Sequence, residues 1–592
     1  EVQKFGNSYT RMGTGYYRYA SVADFLKTGT AAEVAPIMFG LTYPYAGQDT
    51  YSRIKFGLGS AYLQDRFAVT DRLNFTLGLR AELPIYMNDL TPNPSIDNLT
   101  LLDVNGNPKK YKSGEWPNSK VMLSPRFGFN YDVMGDRSLT LRGGTGIFTG
   151  RVPFVWLTNM PTNSGVLQNT IEPGNYAAVA PWIGQIRFHP ENIYYYVENP
   201  VYYTQNGQQV TPFISSPSGG VPSSFALVDD TFKMPSVWRS SFGVDFRIPQ
   251  SPITLTTDIL YTKDVNAVFQ YGANRKESTQ KMTGVDRVYY PNAASYQYNT
   301  AIGANNATVL TNTDTKGHAF SATFGASLRP WNGLSGSVFY TYSDAKEVSA
   351  NAGSSATSAW GGSPTVDSPN QQFLSISDYA IPHRVVANLT YELKKTGTTL
   401  GVYYNGAHQG RYSYYYSNDV NGDGIANDLM YIPNDVNNMK FVDITTGSGT
   451  NTTVVFTAQQ QRDAFNKFIA DNGLEKYRGQ ILPRNEFLLP WLNRFDVRLA
   501  QNLFSDMVSK GDKVQITLDV VNFGNLLNSS WGVRDYSVSS YGAAILSRAG
   551  ALSPDPSFTM LRDGAELIKA PYRPGSSTAT TWSAMLGFKY SF

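Results

Sequence analysis

The chain has no cysteine, which excludes disulfide staples, thiolate metal ligands and cysteine nucleophiles. Histidine is nearly as scarce. His189, His318, His383 and His408 are dispersed, no HExxH pair occurs, and there is no GxSxG elbow. Isolated carboxylates abound without pairing into an acid–base couple, so the expectation is a protein that is not an enzyme. Charge is thin as well, at 16% of the 592 residues against about 25% in soluble domains. A net charge of +3 offers no basic field for nucleic acid. Nor does any apolar run approach the roughly 18–20 residues of a membrane helix. The chain opens on Glu1 without Met, a charged n-region or an apolar h-region, as after removal of a signal peptide or in a piece of something longer.

What is abundant is aromatic: 14% of the residues, including 39 Tyr. In the last twelve residues Trp582, Ala584, Leu586, Phe588, Tyr590 and Phe592 share one face of an extended strand, opposite Ser583, Gly587, Lys589 and Ser591. A strand that is apolar on one face and ends on Phe suits the sealing strand of a membrane barrel, where lipid leaves no backbone group unpaired. The same alternation recurs in hairpins. Trp238–Ile248 faces Ile253–Thr262 across Pro249–Pro252. Phe320–Leu328 faces Leu334–Tyr342 across Pro330–Gly333. Val385–Leu393 faces Thr398–Tyr404 across Lys394–Gly397, and Phe495–Leu499 faces Val514–Val520. Two earlier hairpins turn near Val69–Arg72 and Gly135–Ser138. Turns within hairpins span about four to eight residues and connections between hairpins roughly 35 to 85, the short periplasmic turns and long extracellular loops of an outer-membrane barrel. Compact soluble domains rarely tolerate so many long connections. The expected fold is therefore all-β, a transmembrane antiparallel β-barrel of about thirteen strands in the bacterial outer membrane. An odd count implies a strand unread within Glu1–Ser52 or an absent beginning, and the loop-like character of that segment favours the latter.

Inward positions in these strands carry Arg239, Asp245, Arg247, Asp258, Arg329, Glu392, Arg494, Asp496, Arg498 and Asp519. Arg or Lys facing lipid at mid-bilayer costs about 2–4 kcal/mol, so these charges are expected to line the lumen. Asp419–Asp428 (DVNGDGIAND) is the sharpest local motif. Asp419, Asn421 and Asp423 alternate as oxygen donors, Gly424 permits the turn and Ile425 offers a carbonyl, matching the first seven positions of a Ca²⁺ loop. Met430 stands where the bidentate Glu belongs, leaving Asn427 or Asp428 to complete the set; the alternative is a metal-free Asx/Gly turn. Asp103–Asn107 (DVNGN) is a shorter echo that reads as a turn. Three tyrosine clusters, Tyr194–Tyr196, Tyr289–Tyr290 and Tyr412–Tyr416, fall in or near long loops. They suit either sugar or peptide platforms or, as we favour, loop packing and an interfacial girdle. Thr457 and Gln460 form a capping box ahead of a helix with Phe465, Phe468 and Ile469 on one face, stopped by Asn472–Gly473. Gly143–Gly150 lacks phosphate-loop spacing and reads as strand glycines that admit close neighbours.

Taken in order, Tyr62–Glu82, Ser124–Asp132, Leu141–Arg151, Asp378–Leu393, Arg478–Leu499 and Asp519–Asn528 resemble the C-terminal barrel of Oar-like TonB-dependent outer-membrane proteins, relatives of the SusC-like transporters of Bacteroidota. The likeness covers nearly all of 51–592 and treats 1–592 as one receptor-type barrel domain. It implies the last thirteen of 22 strands, a plug in the lumen, a TonB box coupled to an inner-membrane motor, and contact with outer-membrane lipid and a lipoprotein or other outer-membrane partner. The implied function is TonB-dependent transport of an unidentified ligand captured by extracellular loops. Two readings stand beside it: a non-transport scaffold in an outer-membrane assembly or secretion complex, and a passive porin of about 14 strands.

Overall fold

The long strands of the main sheet pair consecutively from Tyr51 to the C-terminus. In the computed structural model, which describes Glu1–Phe592 apart from residues 173–175, 448, 506–511, 540–541 and 576, thirteen strands follow one another in an antiparallel meander. They are β2 (Tyr51–Ala68), β3 (Leu73–Tyr86), β4 (Met122–Asp132), β5 (Leu139–Thr149), β6 (Ser236–Arg247), β7 (Ile253–Gly272) and β8 (His318–Trp331). After these come β9 (Leu334–Glu347), β10 (His383–Leu393), β11 (Thr398–His408), β12 (Trp491–Ser505), β13 (Lys513–Val521) and β14 (Ser583–Ser591). Each pairs with the next. Segment 1–52 does hold a strand, β1 (Val2–Ser8), which pairs with the upper part of β2 from Tyr51 to Gly57. Its sequence VQKFGNS lacks the alternation that betrayed the others.

Register sorts the side chains as alternation requires. On one face of the last pair, Ile516 lies opposite Phe588, Leu518 opposite Leu586 and Val520 opposite Ala584. Leu586 is 76% exposed and Phe588 72%, which in water would be a large apolar liability and in hydrocarbon is the stabilising face. Rings band this outer face at two heights. Near the loop ends of the strands, Trp238 meets Tyr261 at 6.0 Å, Tyr342 meets His383 at 5.5 Å, Tyr404 meets Phe495 at 4.8 Å and His408 meets Trp491 at 5.4 Å. Near the short turns, Phe75 packs on Phe67 at 5.9 Å and on Phe127 at 5.4 Å. Amphipathic rings at both interfaces are what a spanning barrel places there.

Several strands outrun the bilayer. At about 3.3 Å per residue, the 20 residues of β7 exceed the 9–11 that a spanning strand needs. Its end, Ala267, Phe269 and Tyr271, is buried, pairing with the loop strand Ala307–Thr313. Ile54 and Phe56 of β2 are buried in the same way. The long connections thus form a folded layer with apolar cores of its own. One gathers Tyr414, Tyr416, Met430, Phe465, Phe468, Leu546 and Phe558. Another joins Ile96, Phe225, Phe269, Val309 and Trp360. A third packs Phe39, Tyr43, Trp182 and Tyr196, and a fourth Ile54, Phe56, Leu157 and Met160.

Candidate functional site

Beneath this cap, the inner face of the sheet carries an ordered set of ion pairs. Alternation between Leu141 and Gly143 points Arg142 inward, although the neighbouring glycines blur the apolar pattern there. Its Nε lies 3.0 Å from Asp245 and its Nη1 2.7 Å from Asp258, so one guanidinium bridges β5, β6 and β7. Gly243 makes the bridge possible. It is the register partner of both Arg142 and Asp258, and a Cβ there would stand 2.7 Å from the guanidinium carbon and 2.9 Å from an Asp258 oxygen. Farther round, Arg494 pairs with Asp496 at 3.2 Å and Arg498 with Asp519 at 3.6 Å. The latter pair borders a shallow recess of about 230 Å³ shared with Thr390 and Tyr403. Arg239 donates to Thr262 at 3.2 Å, and Arg329 to the Ser251 carbonyl at 3.0 Å. The glycines of 143–150 belong to β5 and its end. A Cβ at Gly143 would meet the Phe129 ring at 2.6 Å and one at Gly146 the Pro125 carbonyl at 2.8 Å, so they serve close packing.

The acidic loop Asp419–Asp428 lies within the cap, clamped by two buried arginines. Asp419 accepts from the N–H groups of Gly422 (2.6 Å) and Gly424 (2.8 Å), and Asn421 Oδ1 from that of Asp423 (3.0 Å). Asp423 accepts from Ile425 N–H at 2.8 Å and pairs at 3.1 Å with Arg275, both side chains being 2% exposed. That guanidinium also lies over the rings of Tyr296 (4.7 Å) and Trp360 (5.3 Å). Asp428 accepts from Val420 N–H at 2.7 Å, while Arg287 donates to the neighbouring Leu429 carbonyl and lies over Tyr416 at 5.7 Å. Burial drives the Asp423 carboxyl well above its ordinary value, partly offset by Arg275. Burial likewise pushes Asp428 up to about 6, partly offset by Arg287. Ile425 lends its carbonyl to Asn427 N–H at 3.0 Å. The Asn427 amide turns to the carbonyls of Gly361 (3.1 Å) and Ser363 (2.9 Å). The structure therefore gathers Asp419, Asn421, Asp423 and Asp428 around one turn and commits much of their hydrogen-bonding capacity to N–H donors. Among the described residues, no group of three or more His, Asp or Glu side chains converges as a metal cage.

The tyrosine clusters are core. Tyr289, Tyr290, Tyr412, Tyr414, Tyr415 and Tyr416 are all buried, and Tyr196 donates to the Arg187 carbonyl at 3.1 Å. Only Tyr194 of its triplet keeps substantial exposure. Helix α1 (Ala458–Asp471) forms with both halves of its capping box and buries Phe465, Phe468 and Ile469 among the loops. Asp103 accepts from the N–H groups of Asn105 and Asn107 at 2.9 and 2.8 Å, closing a turn around Gly106.

Comparison with known proteins adds the family. No curated protein matches the sequence. The chain resembles the outer membrane transporter YddB from Escherichia coli, at 11% identity and a TM-score of 0.39, covering 91% of this chain and 55% of that one. Against the unliganded ferric citrate transporter FecA the values are 10%, 0.34, 91% and 46%, and against the copper transporter OprC 9%, 0.37, 82% and 44%. The chain thus spans about half the length of these structures, and likeness at this level says nothing of cargo. The model of the outer membrane beta barrel domain matches residues 2–549. With its meander, its paired aromatic bands and that match, the chain belongs to the family of outer membrane beta-barrel domains.

Proposed function

We propose that this barrel serves ligand uptake across the outer membrane, with the packed loops receiving the ligand and the charged inner wall lining its route. The observation carrying this reading is the Arg142–Asp245–Asp258 bridge with the Arg494–Asp496 and Arg498–Asp519 pairs, all on the inner face. A merely structural wall has no need of so many charges held in register, whereas a wet lumen or a lumen-filling plug does. In the finer form of the proposal a plug domain occupies the lumen and TonB supplies the work. The Oar-like and SusC-like kinship and a Bacteroidota source belong to this finer form. Deleting the gene and, separately, TonB in the native host should leave the same solutes unconsumed in spent medium. Unchanged solutes on deletion, with a barrel-bound protein partner recovered by purification, would instead establish a scaffold. Steady open-channel conductance of the purified protein in planar bilayers would establish a porin.

We propose further that the 419–428 loop takes Ca²⁺ through Asp419, Asn421, Asp423, the Ile425 carbonyl and Asp428, with Asn427 in the outer ring. Its support is the gathering of hard oxygens around one turn. Ca²⁺ must draw Asp423 away from Arg275, so binding should slow amide exchange across 419–429 and abolish any effect of an Arg275→Met substitution on that loop. Exchange rates indifferent to Ca²⁺ and to chelator would leave the loop held by its arginine contacts and N–H donors without a metal.

A further inference from the structure

The two buried arginines of the cap are not equally paired. Arg275 meets Asp423, but among the described residues no carboxylate pairs with Arg287 in that way; Asp428 feels it only through space. Arg287 is 1% exposed, and its Nε has no hydrogen-bond partner. A buried cation with an unmet donor is costly unless something supplies the acceptor. The same side chain lines a cavity of about 280 Å³ in the cap. Three segments distant in sequence enclose it, 282–285, 431–440 and 555–558. Its inner wall is apolar and buried, with Met282, Val420, Met439 and Phe558, and Tyr416 stacks on Phe558 at 5.4 Å. Its mouth is polar: Thr283, Asn434, Asp435 and Asn438 are exposed, and Lys440 pairs with Asp555. Backbone bonds hold the walls together, Thr283 N–H donating to the Pro554 carbonyl at 2.8 Å and Val442 N–H to that of Phe558 at 3.1 Å.

We propose that this cavity binds a small monocarboxylate with an apolar body, its carboxylate at Arg287 and its body among Met282, Val420, Met439 and Phe558. Three observations select that ligand. The unmet guanidinium donor calls for a charged oxygen acceptor, the strong partner for arginine. The apolar inner wall suits a hydrocarbon or aromatic body, as ligand cavities with a few placed polar groups do. The charge count favours one negative charge over two. Arg287 is the one buried cation of the lining, and the mouth carries Asp435 and Asp555. Both of these are engaged, Asp435 by the Asn437 N–H at 2.9 Å and Asp555 by Lys440, yet their charges would still oppose a dianion such as phosphate. The ligand class deepens the uptake reading and rests on it for its purpose, whereas binding to the purified protein is measurable without it.

Isothermal titration of the full chain in detergent with 3-phenylpropionate, with its neutral amide and with inorganic phosphate tests this. The acid should bind at one site about tenfold or more tighter than the amide, the worth of a charge-assisted hydrogen bond, and tighter than phosphate. Arg287→Gln, which keeps an N–H for the Leu429 carbonyl, should erase the difference between acid and amide. Asn438→Trp, which fills the mouth from an exposed position, should abolish binding of both, while heat-modifiable migration on gels reports that each variant is folded. If Arg287→Gln fails to fold, the acid–amide ratio of the parent protein together with Asn438→Trp decides. Equal binding of acid and amide, phosphate binding as tightly as the acid, an acid preference that survives Arg287→Gln, or acid binding unmoved by Asn438→Trp would overturn the proposal. Acid binding as expected, with spent medium unchanged by gene deletion, would overturn uptake and leave the cavity's ligand class standing; a deletion phenotype without acid binding would do the reverse.

Discussion

Gly243 shows how much a single absent side chain decides. Three charged groups meet over it, and even a methyl would displace the Arg142 guanidinium from Asp258. Gly243→Val should lower stability by only about 0–1 kcal/mol, the worth of a solvent-exposed ion pair, because the groups it displaces are the ends of flexible side chains; a slightly earlier urea midpoint for the folded, heat-modifiable form would show it. Asp428 offers a titration in the loops. Its carboxyl is raised to about 6 from about 3.9 in an unfolded chain, so between those values the folded loop keeps a proton that the unfolded one has released. Its contribution is complete below about pH 4 and is lost as pH rises through about 6. In metal-free buffer, amides 419–429 should therefore exchange more slowly at about pH 5 than at about pH 7.5, after correction for intrinsic rates, and Asp428→Asn should flatten the difference. Arg142 was readable from its place between Leu141 and Gly143. The Arg275 and Arg287 clamps were not, because both partners come from loops distant in sequence.

At the scale of elements, the hairpins were legible because one face meets lipid, so a slip of one residue would turn every charge outward. Trp238–Ile248 with Ile253–Thr262, and Val385–Leu393 with Thr398–Tyr404, pair in the register that alternation requires. Leu586→Arg on β14 should cost about 2–4 kcal/mol toward mid-bilayer and sharply reduce the folded fraction in outer-membrane preparations. Helix α1 was equally legible, since its capping box and apolar stripe are local signals. Removing the cap with Thr457→Ala should cost about 0.5–2 kcal/mol, read as faster exchange confined to the first turn of the helix. Elements without a periodic face escaped. Strand β1 is one. Another is the parallel pairing of Phe225–Val228 with Ala307–Thr313, whose continuous apolar residues are equally compatible with helix or buried strand.

For the whole molecule, the loop layer changes the meaning of its tyrosines. Side chains suited to displayed platforms became the cores that hold long connections in place, so Tyr414→Ala should loosen the cap and leave the wall intact. A lowered first thermal transition, with strand circular dichroism retained to the second, would be the signature. Removing a buried aromatic of this kind costs about 3–5 kcal/mol.

What the order of residues determined unaided was the wall from Tyr51 onward: which long strands exist, how its hairpins pair and which faces meet hydrocarbon. Lipid imposes a period of two on every spanning segment, and that constraint is written locally. What only the tertiary structure decided was the chemistry of the inner wall and the cap. Arg142 reaching across Gly243, Arg275 meeting Asp423, and Arg287 lining a cavity walled by three distant segments all join residues whose proximity no local pattern records, because closing long loops is governed by packing at their far ends.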